Sequence, residues 1–437
     1  MTDTVKPYRF LLYAMLLLIP TYVGARVEYF LLFVAAVMIG ERNILISKTK
    51  QFLAGEAAKR ERNIIVGVIL LMLFAGLNKL FNSQEILCLK DYYSPFYLFP
   101  FLLITSGLSY SRYLFLGIVL LVAGESVIGL MEYISGERSF LLDLGDYGTI
   151  KDYSLLYNSR VFGLSYNSSI LGYKILIALI IIDYLRLKVW QEWSLRVLLV
   201  IGLVISFSRI AILVLLIYWL MRLMAINRKV ITKQLFNKAT VQFYGLMIVL
   251  AILFGNTLLY QSSRGGHAAE SVTQADDIEH AAVGCAEEHA IPMNKAELDP
   301  AKQGWGDKLM LQAENVQTSG RKLIWLNYIN YIEQNLLFGN GSDKLMLRVW
   351  IESTGKFKLM HAHNSFLMLI SSYGVLIGGL FLLFYLYLWK KINWIPVIAI
   401  VIYSLGNYGI FWGFSAMDLI FLILLSHHLK LGYEYKE

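Results

Sequence analysis

The chain has 437 residues, of which 57% are hydrophobic and 14% aromatic, with a mean hydropathy of +0.57. Soluble globular chains carry about 45–50% apolar residues, and apolar runs of about 18 residues or more recur along this one, which excludes a soluble globular domain and marks a polytopic helical membrane protein. The net charge of +8 is read as Lys and Arg gathered in inner loops rather than as a nucleic-acid surface: there is no RNP-type motif and no basic, aromatic-interleaved soluble domain.

Backbone groups in lipid must be satisfied within their own segment, so the apolar runs are predicted helices. Spans one and two cover about 8–25 and 28–45, followed by a basic loop with Lys48, Lys50, Lys59, Arg60 and Arg62. The N-terminus has no small-residue cleavage pattern and reads as a retained span. Span three is about 63–81, span four about 95–108 and span five about 113–134. An outer loop over about 135–166 is rich in tyrosine, and span six runs about 167–185. Arg186, Lys188 and Arg196 bound the next inner loop. Span seven ends at Ser206-Phe207-Ser208-Arg209, span eight runs to about 225, and Arg222, Arg228, Lys229, Lys233 and Lys238 form another basic loop. Span nine is about 241–260, span ten 365–389, span eleven 394–411 and span twelve 413–425. About twelve spans with both termini inside put every basic loop in the cytoplasm and the long polar loop, residues 261–360, outside.

That loop divides the chain into spans one to nine (1–260), the loop itself (261–360) and spans ten to twelve with a cytoplasmic tail (361–437). Its first half is acidic. In its second half Leu323, Ile324, Leu326, Tyr328, Ile329 and Ile332 predict an amphipathic helix opened by Ser319-Gly320-Arg321 and ended by the turn residues Gly339 and Gly341.

Arg209, Arg264 and Arg321 are expected outside, against the usual bias of basic residues. Position alone allows an interface anchor. Three external arginines near membrane boundaries or a helix start also suit an anion in the headgroup layer, because guanidinium forks match phosphate oxygens in pairs. His361 and His363 stand just before span ten. They read either as polar residues at a helix entry capped by Asn364, or as a group that exchanges a proton near neutral pH. An H-x-H pair with no further ligand at a persuasive spacing argues against zinc, and His267, His280, Cys285 and His289 make a poor loop site among scattered acids. Cys88 and Cys285 fit no metal spacing, and nothing supports a disulfide between them. Glu125 and Lys174 fall inside predicted spans five and six. They read as a structural pair, with proton coupling as the alternative.

The ordered set Ser208-Arg209, Ser319-Gly320-Arg321 with Trp325, Phe338-Gly339-Asn340-Gly341, and His361-Ala362-His363-Asn364 with Tyr373-Gly374 and Gly378 resembles the bacterial O-antigen polymerase/ligase superfamily. The resemblance spans residues 204–379. It implies an all-α, twelve-span fold of the GT-C type with one large periplasmic loop, in the inner membrane, with the active site on the periplasmic side. It implies an undecaprenyl-diphosphate-linked glycan as donor, a glycan or lipid A–core as acceptor, membrane lipid as surroundings, a chain-length regulator as a further partner, and no cofactor or metal. Arg209 and Arg321 would hold the diphosphate with Arg264 assisting. His363, before His361, would act as general base, supported by Asn364, Trp325 and Ser208. Arg160 and Tyr166 would line a sugar path, unless they belong to an interfacial aromatic belt. The family chemistry would invert the anomeric centre; a metal would also serve, but no paired carboxylate motif stands out, so a metal-independent reaction is expected. Polymerisation is favoured over ligation, because no outer basic cluster is left over for a core phosphate. A transporter or flippase is the alternative of another class; it predicts internal repeats and broken helices, and no clear half-to-half repeat is visible.

Overall fold

The computed structural model describes residues 7–23, 27–55, 59–82, 112–135, 161–165, 168–185, 187–206, 208–225, 321–339, 347–351, 356–360, 362–389, 394–407 and 409. The expected spans four, nine and twelve, most of both outer loops, and Arg160, Tyr166, Arg264, His361, Cys88 and Cys285 lie outside the described residues.

The helices are α1 (Pro7–Leu18), α2 (Pro20–Val23), α3 (Val27–Gly40), α4 (Arg42–Leu53), α5 (Lys59–Asn82), α6 (Arg112–Ser135), α7 (Ser168–Ile182), α8 (Val189–Ile205), α9 (Arg209–Ala225) and α10 (Arg321–Gln334). A hairpin of β1 (Leu347–Ile351) and β2 (Lys356–Met360) follows, then α11 (Ser365–Trp389) and α12 (Trp394–Gly406). The expected spans one, three, five to eight and the amphipathic loop helix thus find their counterparts. Among the described residues two helices, Arg112–Ile134 and Ser365–Phe384, are long and apolar enough to cross a membrane.

The centre of the bundle is α7. From Leu171 to Ile182 every residue is buried, as expected of a helix that is apolar all round. It packs against α6, α8 and α9, while α1 packs on α6 and α9 lies along α12. Two polar belts mark the opposite ends of α7–α9. At one end buried Asp183 accepts from Arg196, Arg222 and the Tyr218 hydroxyl, and Arg196 also donates to Glu192 at 2.8 Å. Arg196 and Arg222 were expected in inner loops. They lie instead within α8 and the last turn of α9, where a shared carboxylate ties three helix ends together. At the other end stand Ser168, Ser206 and Ser208.

Two further expectations are corrected. Span two ends at Gly40, and the basic stretch after it is the helix α4; Arg9 donates to the Gly40 carbonyl (3.1 Å) and Tyr13 to Glu41 (3.1 Å), which stops α3 beside the start of α1. The fold is also not all-α. The pair β1–β2 is antiparallel, from Leu347 opposite Met360 to Ile351 opposite Lys356. In β1 the aliphatic residues Leu347, Val349 and Ile351 recur at period two, a strand pattern.

The segment α11 is not one straight span. Gly374 has φ 70° and ψ 177° inside it, a region that only glycine occupies readily. The helix turns a corner there. A Cβ on Gly378 would meet Leu369 at 3.6 Å, whereas nine residues of straight helix rise about 13 Å. Into the corner fits the turn after α10: Val375 N–H donates to the Leu336 carbonyl (2.8 Å) and Leu376 N–H to that of Leu337 (3.3 Å). A Cβ on Gly339 would lie 2.7 Å from the Gly374 nitrogen, and one on Gly374 would collide with the Leu337 carbonyl. The glycines at 339 and 374 are therefore where two backbones touch. Gly374→Ala is expected to destabilise by more than the ~1–3 kcal/mol of the backbone conformation alone. Gly379→Ala, whose Cβ meets open space, is the neutral control. Thermal melting in detergent measures both.

Candidate functional site

The corner between α8 and α9 is built by serines. Ser206 donates to Leu203 O (2.7 Å) and accepts from Ser208 N–H (3.4 Å), a local hydroxyl-backbone bond that ends one helix and starts the next. Arg209 is the first residue of α9 and is exposed, while Ser208 beneath it is buried. Ser208 packs on Gly172: a Cβ there would reach 2.7 Å from its Oγ. Only a glycine lets α7 approach this closely.

The next residue of α7, Tyr173, continues the wall. Its hydroxyl donates to Gly409 O, its ring lies 4.4 Å from that of Tyr403, and Tyr403 donates to Ser169 O (3.0 Å). The same end of α12 holds the entry of α11. Asn364 Nδ2 donates to Leu405 O (2.9 Å), Ser365 Oγ donates to Asn407 O (3.4 Å), and Gly409 N–H donates to Ser365 Oγ (3.0 Å). Asn364 Oδ1 accepts from the N–H groups of Phe366 (2.9 Å) and Leu367 (3.1 Å), so it caps α11 as its place in the sequence leads one to expect. A continuous run of contacts thus joins the Ser208–Arg209 corner, through α7 and the end of α12, to His363-Asn364.

His363 stands at φ 47°, the one non-glycine positive φ among the described residues. Such a conformation persists where the surroundings over-determine it, and here they do. Asn364 is fixed on one side; on the other Ala362 is fully buried and its carbonyl accepts from Trp325 Nε1 (2.8 Å). That bond docks α10, the helix opened by Arg321, onto the His363 segment. Ile324, Tyr328 and Tyr331 complete the docking against Ala362 and Met368. Burial there pushes the Tyr331 phenol up to about 12, so it stays protonated at neutral pH and is no base.

A strap closes the other flank. Val161–Ser165 are held by two carboxylates of α6 that share one face: Glu132 accepts from Phe162 N–H (3.2 Å) and Gly163 N–H (2.8 Å), and Glu125 from Ser165 Oγ (2.7 Å). Val161 N–H donates to Ile205 O (3.3 Å), beside the serine corner. Glu125 also pairs with Lys174 at 2.5 Å, both side chains fully buried, and Lys174 donates to Thr21 (3.0 Å) and lies over the Tyr22 ring.

Residues 194–382 match a family model described as O-antigen ligase. Over that stretch the match supports the O-antigen polymerase/ligase superfamily. No curated protein matches the chain. The matched stretch contains Ser208-Arg209, α10 and His363-Asn364. The match indicates an O-antigen polymerase/ligase type of activity, and with the apolar helices it points to a membrane protein.

Of the expected site residues, the structure brings Ser208, Arg209, His363, Asn364 and Trp325 onto one connected wall, with Arg321 at the start of the helix that Trp325 docks. Sequence reading missed Gly172, Tyr173, Tyr403 and Glu132. The one legible signal was Glu132, seven residues after Glu125 on a predicted helix and so on the same face.

Proposed function

We propose that the protein is an inverting glycosyltransferase that moves a glycan from undecaprenyl diphosphate to an acceptor hydroxyl on the periplasmic side of the bacterial inner membrane, and that it polymerises repeat units. One observation carries this reading: Ser208, beside Arg209, and Asn364, beside His363, far apart in the chain, are joined by a run of buried contacts through α7 and the end of α12. Likeness to the superfamily over residues 194–382 supports a lipid-linked glycan as donor.

In the proposed reaction the acceptor oxygen attacks the anomeric carbon and the bond to the diphosphate oxygen breaks. Undecaprenyl diphosphate leaves with the electron pair, and the acceptor proton passes to His363. Charge builds on the leaving diphosphate. Arg209 and Arg321, with Arg264, would meet it with guanidinium forks, stabilisation that counts most where charge develops. His361, Arg160 and Tyr166 would flank the sugars, with residues 261–360 as the periplasmic domain between the bundles 1–260 and 361–437. A chain-length regulator would be a further partner. With fixed cations in this role, transfer is expected to persist in excess EDTA; loss of turnover restored by a divalent cation would show that a metal does the work instead.

Ligation to lipid A–core is the second reading, favoured by the description of the matched family model. Deleting the gene and running the surface polysaccharide on a gel separates them. Core bearing a single repeat is the expected result. Bare core with long chains left on the lipid carrier would mean ligation, and unaltered glycan would end both.

A further inference from the structure

The turn that follows α10 presents Leu336, Leu337 and Phe338 side by side, 50%, 61% and 46% exposed. Three consecutive exposed apolar residues in a turn make no sense against water. Their backbone is as unusual as their side chains. The carbonyls of Leu336 and Leu337 accept from Val375 and Leu376 N–H, and that of Phe338 accepts from Asn78 Nδ2 at 2.8 Å. Gly339 N–H in turn donates to Asn335 O (2.9 Å). Surface turns leave such groups to water. Here successive carbonyls each have a protein donor, one of them a buried asparagine on α5, which is the condition for irregular backbone at membrane depth.

The neighbours carry the same signature. On α11, Val375, Leu376 and Leu383 are exposed, and on α5 so are Leu73, Phe74 and Leu77. The turn is bonded to both helices, so its apolar side chains extend one lipid-type surface. Asn78 lies one turn from the end of α5, so the turn reaches the margin of the hydrocarbon, not its centre.

We propose that Leu336–Phe338 is a wedge inserted into the outer-leaflet hydrocarbon, in contact with lipid chains. The partner is an acyl chain of the bilayer, because the apolar turn continues the exposed apolar faces of α5 and α11. The wedge would set the depth of α10, and through Trp325 that of the His363 segment. The inference needs the membrane setting but not the transfer chemistry.

The test uses the full chain in proteoliposomes, with Cys88→Ser and Cys285→Ser, and a nitroxide on Leu337→Cys or, as reference, Leu383→Cys. Leu337 is mostly exposed, so the label leaves the fold intact. The expected result is that the label at 337 collides with oxygen and loses collisions with a water-soluble nickel chelate, as at 383. Free collision with the chelate at 337 and not at 383 overturns the proposal. Adding undecaprenyl phosphate then separates the sources. Unchanged spectra at both sites are expected for acyl contact, and loss of mobility at 337 alone would assign the contact to the isoprenoid and overturn the proposal. No activity is read, so failure of the wedge is distinct from failure of the glycosyltransferase reading.

Discussion

His363→Asn is expected to lower glycan transfer by about 10²–10⁴-fold, the usual contribution of a positioned general base, while the protein still inserts and melts near the wild-type temperature. Asparagine is the informative replacement. His363 sits at φ 47°, where a Cβ is disfavoured and Asn is among the residues that tolerate it. His363→Ala would mix loss of the imidazole with backbone strain in the segment that Asn364 caps and Trp325 holds. The companion variants are Arg209→Ala and Arg209→Lys. Losing one donor to a developing oxyanion costs about 10²–10³-fold, and lysine keeps the charge but not the planar fork, so Arg209→Lys is expected to recover little. Arg209 is exposed at a helix start, so neither change should unfold the bundle. The measurement is consumption of lipid-linked donor by protein in proteoliposomes. Wild-type rates in His363→Asn would remove the base from the scheme, and wild-type rates in Arg209→Ala would remove the diphosphate clasp.

The second large effect is on stability. Glu125→Gln or Lys174→Met breaks a pair whose side chains have no solvent exposure. Removing one partner of such a pair typically costs about 3–5 kcal/mol, because a charge is left buried without compensation. Here Glu125 also accepts from Ser165, and Lys174 donates to Thr21, so three segments loosen together: the strap, α2 and α7. Both single variants are expected to express poorly and to melt well below wild type. Glu125→Leu combined with Lys174→Met removes both charges and should recover much of the loss, since apolar replacement of a buried pair is often neutral. Melting curves in detergent decide it. A Glu125→Gln protein that inserts and melts normally but transfers no glycan would instead make the pair part of the mechanism.

Several parts of this protein were legible from residue order alone. Apolar runs of helical length set the boundaries of α6, α9 and α11 closely, because a helix in hydrocarbon satisfies its own backbone and needs no partner to declare itself. The period of Ile324, Tyr328 and Ile332 foretold α10, and the type of residue at 364 foretold the cap of α11. Glu125 and Lys174 stood out as charges in apolar runs, and pairing was the economical reading of them. The motif glycines were visible too, but not their reason.

What the tertiary structure decided was everything that depends on two distant segments meeting. Gly339 and Gly374 are ordinary turn and helix glycines until the backbones of α11 and the turn after α10 are seen to touch. The corner in α11 is hidden in an unbroken apolar run, because Leu369 and Leu383 are equally apolar whether the helix is straight or folded. Arg196 and Arg222 look like loop charges until Asp183 gathers them. Nor does residue order reveal that Gly172 and Tyr173 join the Ser208–Arg209 corner to the end of α12 and so to His363. Hydropathy reports the medium each segment prefers, a local property. Which neighbour it meets there is decided by close packing and by partners for buried polar groups, and those exist only once the helices are assembled.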